Sequence, residues 1–138
     1  MNEADIVNGL MNVPHSELTE LEIDISLLNK FEWATNQGGW DHFFSLPDGE
    51  HVDRLIEAAN RHSFQDLVSW LNRLIADYPA LRGKDVSARQ IAISECISDA
   101  DKKYGDEAYK LAENANDVWV KVTMENFEEL AKNLRQRT

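Results

Sequence analysis

The sequence predicts an all-α, single-domain bundle of about five to seven helices. Three observations point there: a length that supports one core, apolar residues recurring at helical spacing over most of the chain, and two capping-box patterns ahead of such stretches. At 138 residues, with 43% hydrophobic content, four Trp and five Phe, the chain resembles a folded domain rather than a disordered one.

Residues 1–15 show weak periodicity interrupted by Gly9 and Pro14, so they read as an extended or frayed arm, leaving 16–138 as the domain. Ser16 or Thr19 then opens the first clear helix, and Thr19 with Glu22 fits a capping box; the helix is expected to reach about Asn36. Leu21, Ile23, Ile25 and Leu27 also alternate with Glu20, Glu22, Asp24 and Ser26, the two-residue period of a strand. On a helix the same residues form two apolar stripes, which predicts a central helix covered on two sides. Helix is the preferred reading, with strand its alternative.

Gly38-Gly39 breaks the chain, and Trp40, Phe43 and Phe44 follow at helical spacing. Asp48, in Pro47-Asp48-Gly49, is a candidate cap for a helix carrying Val52, Leu55, Ile56 and Ala59. Ser63 is expected to cap the next, whose Phe64, Leu67, Leu71, Leu74 and Tyr78 keep helical spacing up to Pro79. After a polar linker at 82–85, Ser87 and Gln90 suggest a second capping box for a helix ending at Gly105. The last helical stretch runs from about Asp106 to Arg135, loosened around Asn114 to Asn116.

Charge is distributed unevenly. Eleven acids and one base, Lys30, occupy the first 53 residues, whereas the remaining 85 carry fourteen acids and thirteen bases, for a net charge of −11. Direct binding to nucleic acid requires Lys and Arg to neutralise phosphate, so this acidic third favours a basic-surfaced protein partner. Acidity that merely maintains solubility is the plain alternative. The carboxylates expected to form the partner-binding face are Glu17, Glu20, Asp24, Asp41, Asp48, Glu50, Asp53 and Glu57.

A lone Cys96 excludes an intramolecular disulfide, which favours a reducing compartment; with no basic leader or long apolar run, a cytoplasmic protein without a membrane role is expected. His15, His42, His51 and His62 lack the spacing of a zinc site, and nucleotide-binding and nucleophile-elbow motifs are missing, so neither metal nor cofactor is expected. His42 is the candidate a catalytic reading would rest on, within a small enzyme or ligand-binding site built around Trp40, His42 and Phe44.

The run Asn36-Gln37-Gly38-Gly39-Trp40-Asp41-His42-Phe43-Phe44, preceded by Leu18-Thr19-Glu20-Leu21-Glu22 and Glu32, resembles the Asn-Gly-Gly-Phe-x-Gln-Tyr/Phe-Phe motif of an all-helical domain family. That family is known for an acidic, DNA-mimicking protein that inhibits a transcription factor. Aligning the glycines places Gln37 on the family's Asn, Trp40 on its Phe, His42 on its Gln, Phe43 and Phe44 on the aromatic pair, and Leu46 on a later Asn. The resemblance spans about residues 18–78 and implies a helical fold and a non-enzymatic inhibitor of a DNA-binding protein. A related reading is an immunity or anti-defence protein that neutralises a nuclease-type toxin. The residues themselves imply packing: a helix stop, two glycines for close backbone passage, and an aromatic anchor.

Mimicry sets a spacing requirement. Duplex DNA presents one charge per roughly 1.7 Å, whereas acids every three or four residues on a helix present one per roughly 5 Å. Two rows, or one row from each copy of a homodimer, come closer.

Overall fold

The structure, a computed structural model, describes residues 1–137. Its helices are α1 (Glu3–Leu10), α2 (Glu20–Gly38), α3 (His42–Ser45), α4 (Val52–Arg61), α5 (Gln65–Asp77), α6 (Val86–Ala100), α7 (Asp106–Glu125) and α8 (Phe127–Arg137). Short 3-10 turns at His15–Glu17, Pro47–His51 and Pro79–Arg82 lie between them, and no strand occurs among the described residues.

Helix α2 is the axis of the bundle. Its capping box forms: Glu22 N donates to Thr19 Oγ1 at 3.2 Å and Thr19 N to Glu22 Oε1 at 2.9 Å. Helix α7 runs antiparallel to it, since Glu32 meets Asn116 and Trp119 while Gly39 lies near Tyr109. Helix α4 covers another side, and every residue from Glu22 to Leu28 is buried. The strand-like alternation is thereby explained. Glu22, Asp24 and Ser26 are interior residues of a helix enclosed on all sides, so polarity there does not mark a solvent face.

The N-terminal segment is not an extended or frayed arm. Asn2 and Asp5 form a capping box, and Ile6, Val7 and Leu10 are buried where α1 packs on α2, α7 and α8. Gly9 does not break this helix. A Cβ there would lie 2.4 Å from Leu134 Cδ1, so glycine permits α1 to approach α8.

Several other boundaries differ from expectation. Asp48 caps nothing through its side chain, because it lies within the 3-10 turn before α4. Ser63 has φ 61° and ends α4, with Phe64 N donating to Ala59 O at 2.7 Å. Helix α6 is capped by Asp85, which accepts from Ala88 N, while Gln90 Nε2 instead donates to Ser45 O. Gly105 does not stop the helix: a π turn at Asp101–Gly105 joins α6 to α7 in one rod. The rod passes Asn114–Asn116 unbroken and ends at Asn126, whose side chain donates to Val122 O.

The core is threaded by aromatic rings. Phe31 packs edge-on against Phe43 and Trp70, Phe43 against Phe44, and Trp70 against Tyr104, with centroids 5.5–6.2 Å apart. Trp40, Phe43 and Phe44 therefore do pack as a core anchor. Arg89 holds that segment from behind. Fully buried, it donates to Phe44 O at 3.0 Å, Leu46 O at 2.8 Å and Gly83 O at 2.6 Å. Gly49 packs into the same corner, where a Cβ would lie 2.9 Å from both Phe43 O and Phe44 Cα.

Two substitutions test this corner by urea unfolding. Arg89→Met is expected to cost about 3 kcal/mol, because it leaves buried carbonyls without donors. Gly49→Ala is expected to cost about 1–3 kcal/mol, because the added carbon meets backbone that cannot rotate away.

Candidate partner-binding surface

The eight carboxylates of the expected binding face occupy four environments. Asp24 is inside the protein, its side chain 1% exposed. Arg61 Nε and Nη2 donate to it at 2.8 and 3.0 Å, and His62 Nε2 lies at 2.9 Å. Glu20 is exposed on the preceding helical turn and pairs with Nη1 of the same Arg61 at 3.0 Å. The row Glu17–Glu20–Asp24 is therefore not a surface row, and the correction concerns Asp24: its position on α2 turns towards α4 rather than solvent. Burial alone would raise its pKa, but the His62 and Arg61 hydrogen bonds outweigh it and hold the carboxyl below its ordinary value.

A second environment is the edge of α4. Glu50, Asp53 and Glu57 follow one another at i, i+3 and i+7, so they line one side of α4 and its leading turn over about 10 Å. Asp53 and Glu57 are exposed and Glu50 is half-exposed. Cations from the middle of the chain approach this ridge: Arg82 reaches Asp53 at 3.1 Å and Arg54 reaches Glu57 at 3.8 Å.

The third environment joins Asp48 and Glu50 to the connector before α2. Lys30 lies 3.8 Å from Asp48, His51 lies 3.2 Å from Glu50, and the His15 ring stacks on His51. Glu17 belongs to the same 3-10 turn as His15 and is exposed; Arg137 Nη2 donates to its backbone carbonyl at 3.2 Å.

Asp41 stands apart, at the opposite end of α2. It borders a cleft of about 500 Å³ beside Gly38-Gly39, with Trp40, Asp101, Asp106 and Tyr109. Burial, followed by the neighbouring Asp101 charge, pushes the Asp41 carboxyl above its ordinary value. Asp101 belongs to the π turn and accepts from Trp40 Nε1 at 2.5 Å. Sequence reasoning missed Asp101 and Asp106, since the helix-continuing π turn that places them there has no signature at Gly105.

The motif residues divide by depth. Trp40, Phe43 and Phe44 are buried, whereas His42 is half-buried, packed beside Gly38 and 5.9 Å from the Trp33 ring. Trp40 borders the Asp41 cleft but His42 and Phe44 do not, so the three residues of the small-site reading do not share one cavity. Gly39 has φ 89°, the left-handed region that favours glycine, as expected of the chain break. Among the described residues no group of three or more His, Cys, Asp or Glu is placed to hold a metal ion, and no helix is long and apolar enough to cross a membrane.

The buried carboxylates give a pH prediction. Glu22 is held below its ordinary 4.5 and Asp24 below its ordinary 3.8, in both cases by hydrogen bonds and cations that overcome burial. Their stabilising contribution is thus present above the unfolded-state values and is lost as pH falls through the lowered native ones. Asp24→Asn is expected to cost about 2–3 kcal/mol at neutral pH, with Arg61 half-exposed and able to recover some hydration. In urea titrations between about pH 7 and pH 3 the variant should lose less stability than the parent.

No curated protein and no solved structure matches the chain. A protein-family model does match, over residues 16–133, and with that span covering α2 to α7 and most of α8, the chain belongs to the DMP19-like protein family.

Proposed function

We propose that this protein acts without catalysis, as an acidic domain that binds and inhibits or regulates a basic-surfaced, nucleic-acid-binding protein. The observation that carries the reading is the exposed ridge Glu50–Asp53–Glu57 on a chain of net charge −11, with Glu20 joined to the next turn of α4 through Arg61. Acids at this spacing present one charge per roughly 5 Å, sparser than duplex DNA at one per roughly 1.7 Å. DNA mimicry, the property known within the family that the Gly-Gly motif resembles, is the sharpest form of the proposal. It calls for a second row beside the ridge, for which Asp48 and Glu17 are placed by the contact between their two 3-10 turns, or for a second copy in a homodimer.

The ridge is also compensated in part by Arg54 and Arg82. The Arg82–Asp53 pair is exposed on both sides, so a basic partner can take the place of Arg82 at small cost, since exposed pairs are worth about 1 kcal/mol or less, whereas Arg54 is held with its Nε buried. The field of the remaining carboxylates would steer such a partner and raise its association rate, an effect that fades once the Debye length falls below the separation. Neutralising a nuclease-type toxin uses the same electrostatics and differs in the partner's identity.

The test is affinity capture from the source cell on the immobilised protein, with elution by a salt gradient and identification by mass spectrometry. A DNA-binding protein or nuclease that elutes as salt rises, and that is lost on combining Glu50→Gln, Asp53→Asn and Glu57→Gln, is the expected catch. Affinity measured on the purified pair should fall about tenfold or more between low and physiological salt. Capture of a partner with a neutral surface, or binding indifferent to both salt and the triple variant, would overturn the reading.

A further inference from the structure

The connector between α1 and α2 is secured to the turn ahead of α4 by two imidazoles. His15, in the 3-10 turn His15–Glu17, stacks on His51, at the end of the turn Pro47–His51, with ring centroids 4.4 Å apart and planes tilted by 37°. Both rings are half-buried. Beside them a cavity of about 520 Å³ runs between connector and helix, bordered by Leu10, Val13, Pro14, Ser26 and Lys30. Few other hydrogen bonds tie the connector down: those of Val13, Glu17 and Leu18 N–H run to carbonyls within residues 10–15, and Arg137 Nη2 donates to Glu17 O at 3.2 Å.

We propose that the His15–His51 stack is an acid-operated latch, which closes the α1–α2 connector onto the turn before α4 while at least one ring is neutral and opens when both are protonated.

The charges around the stack set this threshold. Asp48 and Glu50 face it from the 3-10 turn, Arg54 from α4, and Lys30 from α2 across the cavity. Glu50 lies 3.2 Å from His51 and matches a proton there, while Asp48 already faces Lys30 at 3.8 Å. A proton on His15 is favoured by Asp48 and Glu50 but opposed by burial and by the His51 and Arg54 charges, and the opposing effects prevail. Two cations about 4 Å apart near a protein surface repel by a few kcal/mol. Burial first, then His51, lowers the pKa of His15 from its ordinary 6.5. The sign follows: at neutral pH the neutral ring costs nothing, and as pH falls below 6.5 the open connector takes up a proton that the closed one resists. Opening frees the residue 11–18 connector, while α1 keeps its own apolar contacts with α8.

The test uses the full chain in two measurements. In an NMR titration of the imidazoles, His15 is expected to titrate below 6.5. Amide exchange, corrected for intrinsic rates, is compared at about pH 7.5 and about pH 5. Protection at Val13, Glu17 and Leu18 is expected to fall severalfold on acidification, because the closed state holds the His15 pKa below its ordinary value. His15→Phe keeps a ring in the stack without the titrating group and should abolish this pH-dependent loss; His51→Phe removes the facing charge and should reduce the loss, since the burial of His15 remains. Titration of His15 at the ordinary histidine value, constant protection in the parent, or an equal loss in either folded Phe variant would each overturn the latch.

Discussion

Two carboxylates buried in the central helix govern how the rest of the chain is arranged. Glu22 and Asp24 lie within the stretch of α2 that is closed to solvent, and an isolated charge there would cost several kcal/mol. Each is matched by a group arriving from far along the sequence. Arg137, in the last turn of α8, donates with both terminal nitrogens to Glu22, which also completes the helix cap with Thr19. Arg61 and His62, at the end of α4, close around Asp24. The C-terminal helix and the fourth helix are thereby tied to opposite sides of one segment. Apolar burial supplies most of the driving force, but these contacts select a register, since sliding either helix by a turn would strand a charge.

At the other end of α2 a different device does the corresponding work. The chain leaves α2 through Gly39 in a left-handed conformation and folds Trp40, Phe43 and Phe44 into the core. Arg89 then supplies donors to the carbonyls at 44 and 83 and a second donor to that at 46, which Gly49 N also reaches, from one buried guanidinium. The π turn in the α6–α7 rod faces this segment. It directs Asp101 to the Trp40 indole and Tyr104 towards Trp70, so the irregular turn serves the aromatic anchor.

Electrostatically, the folded protein is less polarised than its sequence. Acids from the first third meet cations from the remainder: Glu20 and Asp24 meet Arg61, Asp53 meets Arg82, and Glu22 meets Arg137. The acids of the first third that remain on the surface include a ridge along α4 and the border of a cleft at the Gly-Gly turn. The histidine stack lies at the foot of the ridge, beside Asp48 and Glu50. Protons taken up there would soften the same negative field that the proposed function requires, placing the proposed latch and the proposed partner surface in electrostatic contact.

The all-helical class, the capping box at Thr19, the central position of α2, the long α5 and the aromatic anchor were all legible from local pattern. Those features depend on residues within a few positions of one another, where spacing alone decides which side chains share a face. Other features depended on contacts between distant segments. Gly9 looked like a helix breaker until Leu134 of α8 came to lie against it, and Asp24 looked like surface charge until α4 delivered Arg61 and His62. Gly105 resembled a helix end because glycine lacks helix propensity, yet the π turn and its packing beside Trp40 carry the helix through. The sequence by itself determined how many acids the protein carries and which helices bear them. Only the tertiary structure decided which of those acids are neutralised, because an ion pair is set by distance in space, and apart from Lys30 and Arg54 the arginines that close these pairs come from 29 to 115 residues away along the chain.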